Sequence, residues 1–355
     1  MNMNTNMKWK VRPLCLTVML GGLVLLSGAP HAAYGADQSS RGTSALPELI
    51  QEALARNPEI QAARQQWEAA SKRVTQARSL DDPTLQVQWW NFPESFNLGQ
   101  AENTIIGLSQ KFPFPGKLAL KGEVASRSAD MTEQALRAKE RDLIARLKQV
   151  YYDLFLAHKA IQIHHEQIHL LKQFFEIANA KFRTGKGSQV DVLKAQVELS
   201  SLHQHLPALE QRRDTAQAKL NTLLDRDPRF PLEPPQAPHD QRFDKDLEEL
   251  FQIAVTARPE LKAGELAVQR NERTRALAQR QYYPDFHLAF QRFQNFNAND
   301  GFGAVVSINM PFAFWTKPKY DAAVQEASAA VAAARANRAG GSLSRRKPAA
   351  VAGRA

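Results

Sequence analysis

The chain has 355 residues, 43% of them hydrophobic, one cysteine and a formal net charge of +10 at pH 7. The positive charges Lys8, Lys10 and Arg12 lie at one end and Arg335, Arg338, Arg345, Arg346, Lys347 and Arg354 at the other, so residues 36–334 carry only +1. The basic excess therefore marks no nucleic-acid interface, and a single Cys15 excludes a disulfide scaffold or paired thiolate metal ligands.

In chain order, the first feature is a basic start followed by the apolar run Leu14–Leu26, too short to span a bilayer comfortably. Gly21, Gly22, Ser27, Gly28 and Pro30 interrupt it, and Ala33-Tyr34-Gly35 supplies small residues for cleavage, so residues 1–35 read as a secretory signal peptide rather than a retained anchor. No cysteine follows in a lipobox, so lipid attachment is not expected.

Next, Leu46–Ile60 returns as Leu247–Leu261, with Pro58 matching Pro259 and Pro83 matching Pro284 at the same offset. A period this long indicates a duplicated supersecondary unit. Leu46 to Arg56 has helical spacing and stops before Pro58, which opens a second helix to about Ser79. The period then changes: Leu85, Val87 and Trp89 alternate with Gln86 and Gln88, and Thr104–Phe112 is a second strand ended by Pro113-Phe-Pro-Gly116. The two strands are expected at about 83–92 and 104–112, the length of tilted membrane-spanning strands, and so few strands would need other subunits to close a sheet.

From Lys117 to about Phe182 there is no Gly after Gly122 and no Pro, which predicts a helix roughly 100 Å long. Arg183-Thr-Gly-Lys-Gly-Ser-Gln189 turns the chain, and a second helix runs from Val190 to about Leu224, bent at Pro207. This second helix (roughly 53 Å) and Pro58–Ser79 (roughly 33 Å), stacked end to end, nearly match the long one. The unit is helix, strand, strand and long helical hairpin.

The second unit follows the same plan. Pro259–Tyr282 repeats the helix, and strands are expected at about 284–292, with Phe286, Leu288 and Phe290 alternating, and at about 303–311, with Ala304, Val306, Ile308 and Met310 on one face. A helix starts near Pro318 and is Ala-rich to Asn337. Residues 339–355 contain Gly340-Gly341 and Pro348 and are expected to carry no helix. They read as out-of-frame translation of GC-rich DNA, with a basic nucleic-acid or lipid arm as the alternative. The domains are thus 1–35 signal peptide, 36–236 first repeat, 237–338 partial second repeat and 339–355 tail. A complete chain is expected to carry a second long hairpin here, and this product is expected to be a truncated form that makes no working channel.

Gly185-x-x-Ser188-x-x-Asp191-Val192-Leu193-x-Ala195-Gln196 at the turn, Phe112-Pro-Phe-Pro-Gly-Lys117 after the second strand and the Ala-Arg-(Asn)-Pro-Glu opening of each repeat resemble the TolC-type outer-membrane efflux proteins over about residues 45–338. The Phe-Pro-Phe-Pro-Gly-Lys variant is most similar to the heavy-metal, CzcC/CusC-like branch. The resemblance implies a mainly α chain with a small membrane β-barrel contribution. It also implies a homotrimer whose twelve strands, four per chain, form an outer-membrane barrel continuing into a periplasmic α-barrel. The implied partners are a periplasmic adaptor (membrane fusion) protein, an inner-membrane pump and outer-membrane lipid. Leu85, Val87, Trp89, Phe286, Leu288 and Phe290 are then expected to face lipid, and Arg183, Gly185, Ser188 and Asp191 to form a docking tip.

No nucleophile motif, phosphate loop or cofactor signature occurs, so no enzyme activity or cofactor is expected. His164, His165 and His169 form the one cluster; His165 and His169, one helical turn apart, are weak metal candidates, outweighed by a reading as imidazoles on a polar helix face. His203 and His205 point in different directions on a helix. Two other classes compete with the channel reading. A periplasmic coiled-coil adaptor would flank its hairpin with glycine-rich lipoyl-like segments, and a soluble metal-sequestering protein would carry acidic or His-rich pockets. The hairpin is flanked instead by amphipathic, membrane-length strands with proline ends.

Overall fold

The computed structural model divides the chain into two compact units, Met1–Ser40 and Arg41–Ala355. It describes residues 45–343 apart from 92, 93, 95, 97, 99, 100, 239–243 and 296–298, all in the second unit. The expected signal peptide, its cleavage site and residues 344–355 of the expected tail lie outside the described residues.

Helices α1 (Leu46–Arg56) and α2 (Pro58–Arg78) are separated by a single residue, Asn57. Its Oδ1 accepts from Glu59 N at 2.9 Å, capping α2, while its Nδ2 donates to Leu223 O at 3.0 Å. Pro58 takes the first position of α2, where its missing N–H costs nothing. Strands β1 (Thr84–Trp90) and β2 (Asn103–Phe112) follow, then α3 (Lys117–Arg183, 67 residues) and α4 (Gln189–Leu223, 35 residues). After these come α5 (Leu247–Ala257), α6 (Pro259–Arg280), β3 (Phe286–Asn295), β4 (Gly301–Ile308) and α7 (Lys317–Leu343). The order helix, helix, strand, strand, long helix thus occurs twice. α4 continues as helix through Pro207, whose ring removes one backbone donor from its interior.

The core forms where α1 to α4 meet. From α3, Leu136, Leu143, Leu147, Tyr151 and Leu154 recur at helical spacing and bury against Leu49, Ala53, Ile60 and Ala63 of the first two helices and Ala216 and Leu220 of α4. Polar ties close its rim. Tyr151 Oη accepts from Gln236 N at 3.0 Å, and Arg226 forks onto the Glu52 carboxylate, its Nε 2.8 Å from Oε1. Further along, α3 packs between α2 and α6, and α7 packs on α6.

The four strands form one antiparallel sheet in the order β1-β2-β3-β4. The strands of the two units join each other within the chain: β2 pairs with β3 along its full length, from Phe112↔Phe286 to Asn103↔Asn295. Only β1 and β4 remain as edges. β1 is shorter than expected, seven residues, because Asn91 leaves extended geometry at φ 53. β3 begins later and runs further than expected, and β4 ends at Ile308, leaving Met310 outside it.

A correction concerns the end of α7, which does not stop near Asn337 but continues through Gly340 and Gly341 to Leu343. Each glycine costs about 1 kcal/mol relative to Ala in a helix interior. The last turns are tied to α6, however, by Arg335–Glu272 at 2.7 Å and Arg338–Glu265 at 3.9 Å, and an established helix gains one hydrogen bond per added residue.

Candidate functional site

Residues paired across an antiparallel ladder share a face, so the register sorts the sheet into two sides. Leu85, Val87 and Trp89 sit opposite Leu108, Ile106 and Thr104; Leu108 sits opposite Phe290, Gln110 opposite Leu288 and Phe112 opposite Phe286; these last three pair on to Ala304, Val306 and Ile308. All six strand residues expected to face lipid therefore share one face, joined there by Ile106, Leu108, Phe112, Val306 and Ile308. That face is exposed: 68% for Leu85, 57% for Phe290 and 69% for Val306. Arg292, 3.2 Å from Asp300, and Gln294 enter it only at the end away from the helices.

The opposite face carries Gln86, Gln88, Ser109, Lys111, His287, Gln291 and Ser307, with apolar Trp90, Ile105 and Phe293 near its loop end and Val305 on β4. Gly107 and Gly303 flank Gln291 on this side. A Cβ on Gly107 would lie 3.2 Å from Gln291 Cγ, and one on Gly303 would lie 2.7 Å from Phe293 Cε2. The polar face is thus crowded where the other is bulky and open, which favours curvature toward the polar side.

At the far end of the α3–α4 hairpin, Arg183 closes α3, Gly185 adopts φ 70, and Ser188 caps α4, its Oγ accepting from Val190 N at 3.1 Å. Asp191 lies in the first turn of α4, where a carboxylate complements the helix dipole. All four expected tip residues are exposed within this one turn. Beside it, Leu171, Val190, Leu193 and Val197 line an open apolar groove.

The feature that sequence reasoning missed is the junction between sheet and helices. Lys117, only 1% exposed, donates to Asp285 Oδ1 at 2.7 Å and to Tyr283 O at 2.8 Å. Asp285 also accepts from Phe114 N at 2.9 Å, and Phe114 stacks on Tyr283 with centroids 4.6 Å apart. Burial pushes the Asp285 carboxyl up, but hydrogen bonds from Lys117 and Phe114 and the charges of Lys117 and Lys111 prevail and hold it below its ordinary range. Gly116, at φ 89, makes the turn into α3 with Arg280 3.5 Å from where a Cβ would stand. The signal was partly present: Lys117 closes a motif, and Pro284-Asp285 stands where the first unit has Pro83-Thr84.

The histidines separate. His165 and His169 are exposed on α3, and His169 Nε2 lies 3.2 Å from Gln173 Nε2. His164 does not lie on a polar face as expected: it is buried, its Nε2 2.7 Å from Leu202 O on α4. That carbonyl adjoins the one at His203, whose helical partner amide is missing at Pro207. Among the described residues no three or more His, Cys, Asp or Glu converge as a metal site, and no helix is long and apolar enough to cross a membrane.

Residues 49–226 match the family described as outer membrane efflux protein. Solved structures with a similar fold include the outer-membrane channel OprN, at TM-score 0.66 and 19% identity over 84% of this chain and 71% of that one. The outer membrane protein VceC of Vibrio cholerae has TM-score 0.67 and 18% identity over 84% and 75%. CusC, known for transmembrane channel formation, has TM-score 0.62 and 18% identity over 85% and 74%. Comparison with curated proteins finds no match.

Proposed function

The chain belongs to the outer membrane efflux protein family, and on that premise we propose that it is built as the outer-membrane channel component of a tripartite efflux system, a working duct being expected only from a version that carries a second helical hairpin. In this reading three copies close a twelve-stranded barrel, and the helices continue it into the periplasm as a passive duct. The observation that carries the reading is the exposed, mainly apolar face that crosses all four strands, with Gln110, Thr104, Arg292 and Gln294 as its polar members, backed by a polar face and bounded by two open edges. Such alternation is what a barrel wall requires between lipid and a wet lumen. Leu85, Val87, Trp89, Phe286, Leu288 and Phe290 then meet lipid.

The helices supply the other end. The exposed turn at Arg183, Gly185, Ser188 and Asp191 is the surface for a periplasmic adaptor, which joins the duct to an inner-membrane pump. For the cargo we favour metal cations, on the Phe112-Pro-Phe-Pro-Gly-Lys117 motif alone. His165 and His169 remain weak transient contacts at most, since tight sites would obstruct flow. The test is fractionation of the expressed chain followed by native mass measurement in detergent, together with metal and drug tolerance in an efflux-deficient host. Recovery as a soluble periplasmic monomer that confers no tolerance even with a second hairpin restored would overturn the proposal.

A further inference from the structure

The two edge strands carry none of the usual protection against pairing. β1 (TLQVQWW) and β4 (GFGAVVSI) contain no proline and no charge, whereas natural edges are blunted by both. With four strands alternating in direction, β4 of one copy meets β1 of the next antiparallel. Even-numbered β4 residues opposite odd-numbered β1 residues would continue the apolar face without a break.

The chain already contains one such junction. Where β2 meets β3, the residues just past the end of β2 and those just before β3 are clasped by Lys117 on Asp285 and Tyr283 O. Lys317 opens α7 as Lys117 opens α3, and Asp81-Asp82-Pro83 precedes β1 as Tyr282-Tyr283-Pro284 precedes β3. Yet Lys317 is not buried. Its side chain is 64% exposed and leans on Asp321, 3.3 Å away, an i,i+4 surface contact of little strength. Asp321 has a second partner in the Tyr282 hydroxyl, so it stays bound if Lys317 leaves. Asp81 and Asp82 are likewise exposed.

We propose that Lys317 of one copy clasps the Asp81-Asp82 segment of the next, the intermolecular counterpart of the Lys117–Asp285 clasp. This rests on the assembly proposed above. The partner is a second copy of this chain, joined head to tail, because the two halves of the clasp lie at opposite edges of one sheet. Thr84 stands where Asp285 does in the internal junction, so here the negative charge comes from Asp81 and Asp82 instead.

The test has two arms, both on the full chain in outer-membrane extracts. In the first, Lys317→Cys and Asp82→Cys are combined in one chain, whose only other cysteine is Cys15. Oxidation is expected to give dimer and trimer bands on non-reducing gels, and neither single variant should. In the second, Lys317→Glu or Asp81→Lys with Asp82→Lys should lose detergent-resistant oligomer, and the full charge exchange should restore it. A chain that is oligomeric by native mass but neither cross-links nor responds to charge reversal would overturn the clasp and leave the channel reading standing. A chain monomeric throughout would overturn both.

Discussion

Lys117 and Asp285 form a residue-scale device with a definite pH signature. Because the folded carboxyl titrates below its ordinary range, its contribution is fully present above the unfolded value of about 4 and disappears as pH falls through the lower folded value. Asp285→Asn should therefore lower thermal stability near pH 7, and the gap to the parent chain should close on acidification toward pH 3; a gap independent of pH would refute the electrostatic account. Removal of the carboxylate leaves Lys117 buried and unpaired, with an expected cost of about 3–5 kcal/mol. Gly185 is the opposite case, strained but spacious. Nothing stands within 4 Å of where its Cβ would be, so Gly185→Val meets only the left-handed backbone penalty of about 1–2 kcal/mol. In a version with a second hairpin restored, that variant should reach the outer membrane in normal amounts yet lose efflux, and unimpaired efflux would remove Gly185 from the docking surface.

Among elements, the sheet offers the sharpest contrast, since neighbours in sequence face different solvents. Leu108 lies between Leu85 and Phe290 on the apolar face, while Ser109 lies on the polar one. Leu108→Arg should cost about 2–4 kcal/mol near the bilayer midplane and deplete the outer-membrane fraction. Ser109→Arg should insert normally, and equal insertion of both would contradict the assigned faces. This alternation was legible because period two is local, as was the Lys117–Arg183 helix, whose propensity sums over many residues without a breaker. What escaped was non-local. The fate of His164 depends on a carbonyl 38 positions away, and the Lys117 clasp spans 168. The end of α7 escaped as well, because α7 packs along α6 and runs on through Gly340 and Gly341, which local propensity alone argues against.

For the molecule as a whole, the decisive quantity is the match between strands and helices. Each chain presents four strands in one sheet and, near it, α2, α3, α6 and α7 packed in that order. Any head-to-tail ring therefore holds equal numbers of strands and helical columns, whatever its copy number. Strands are about 4.8 Å apart and tilt by about 35–45° on closing, which widens their ring, whereas packed helices stand about 8–10 Å apart. The helical ring is thus the wider of the two, so the columns must lean or stagger to meet the sheet above them. Gly122 permits such close approach: a Cβ there would collide with Arg78 Cγ of α2 at 2.4 Å. Gly122→Leu should displace the Arg78 side chain and crowd the contact between α2 and α3 beneath the sheet. The expected result is a chain that still reaches the outer membrane fraction but yields fewer trimers by native mass than the parent chain. An undiminished trimer would place the control of ring width elsewhere, in the open edges of the sheet.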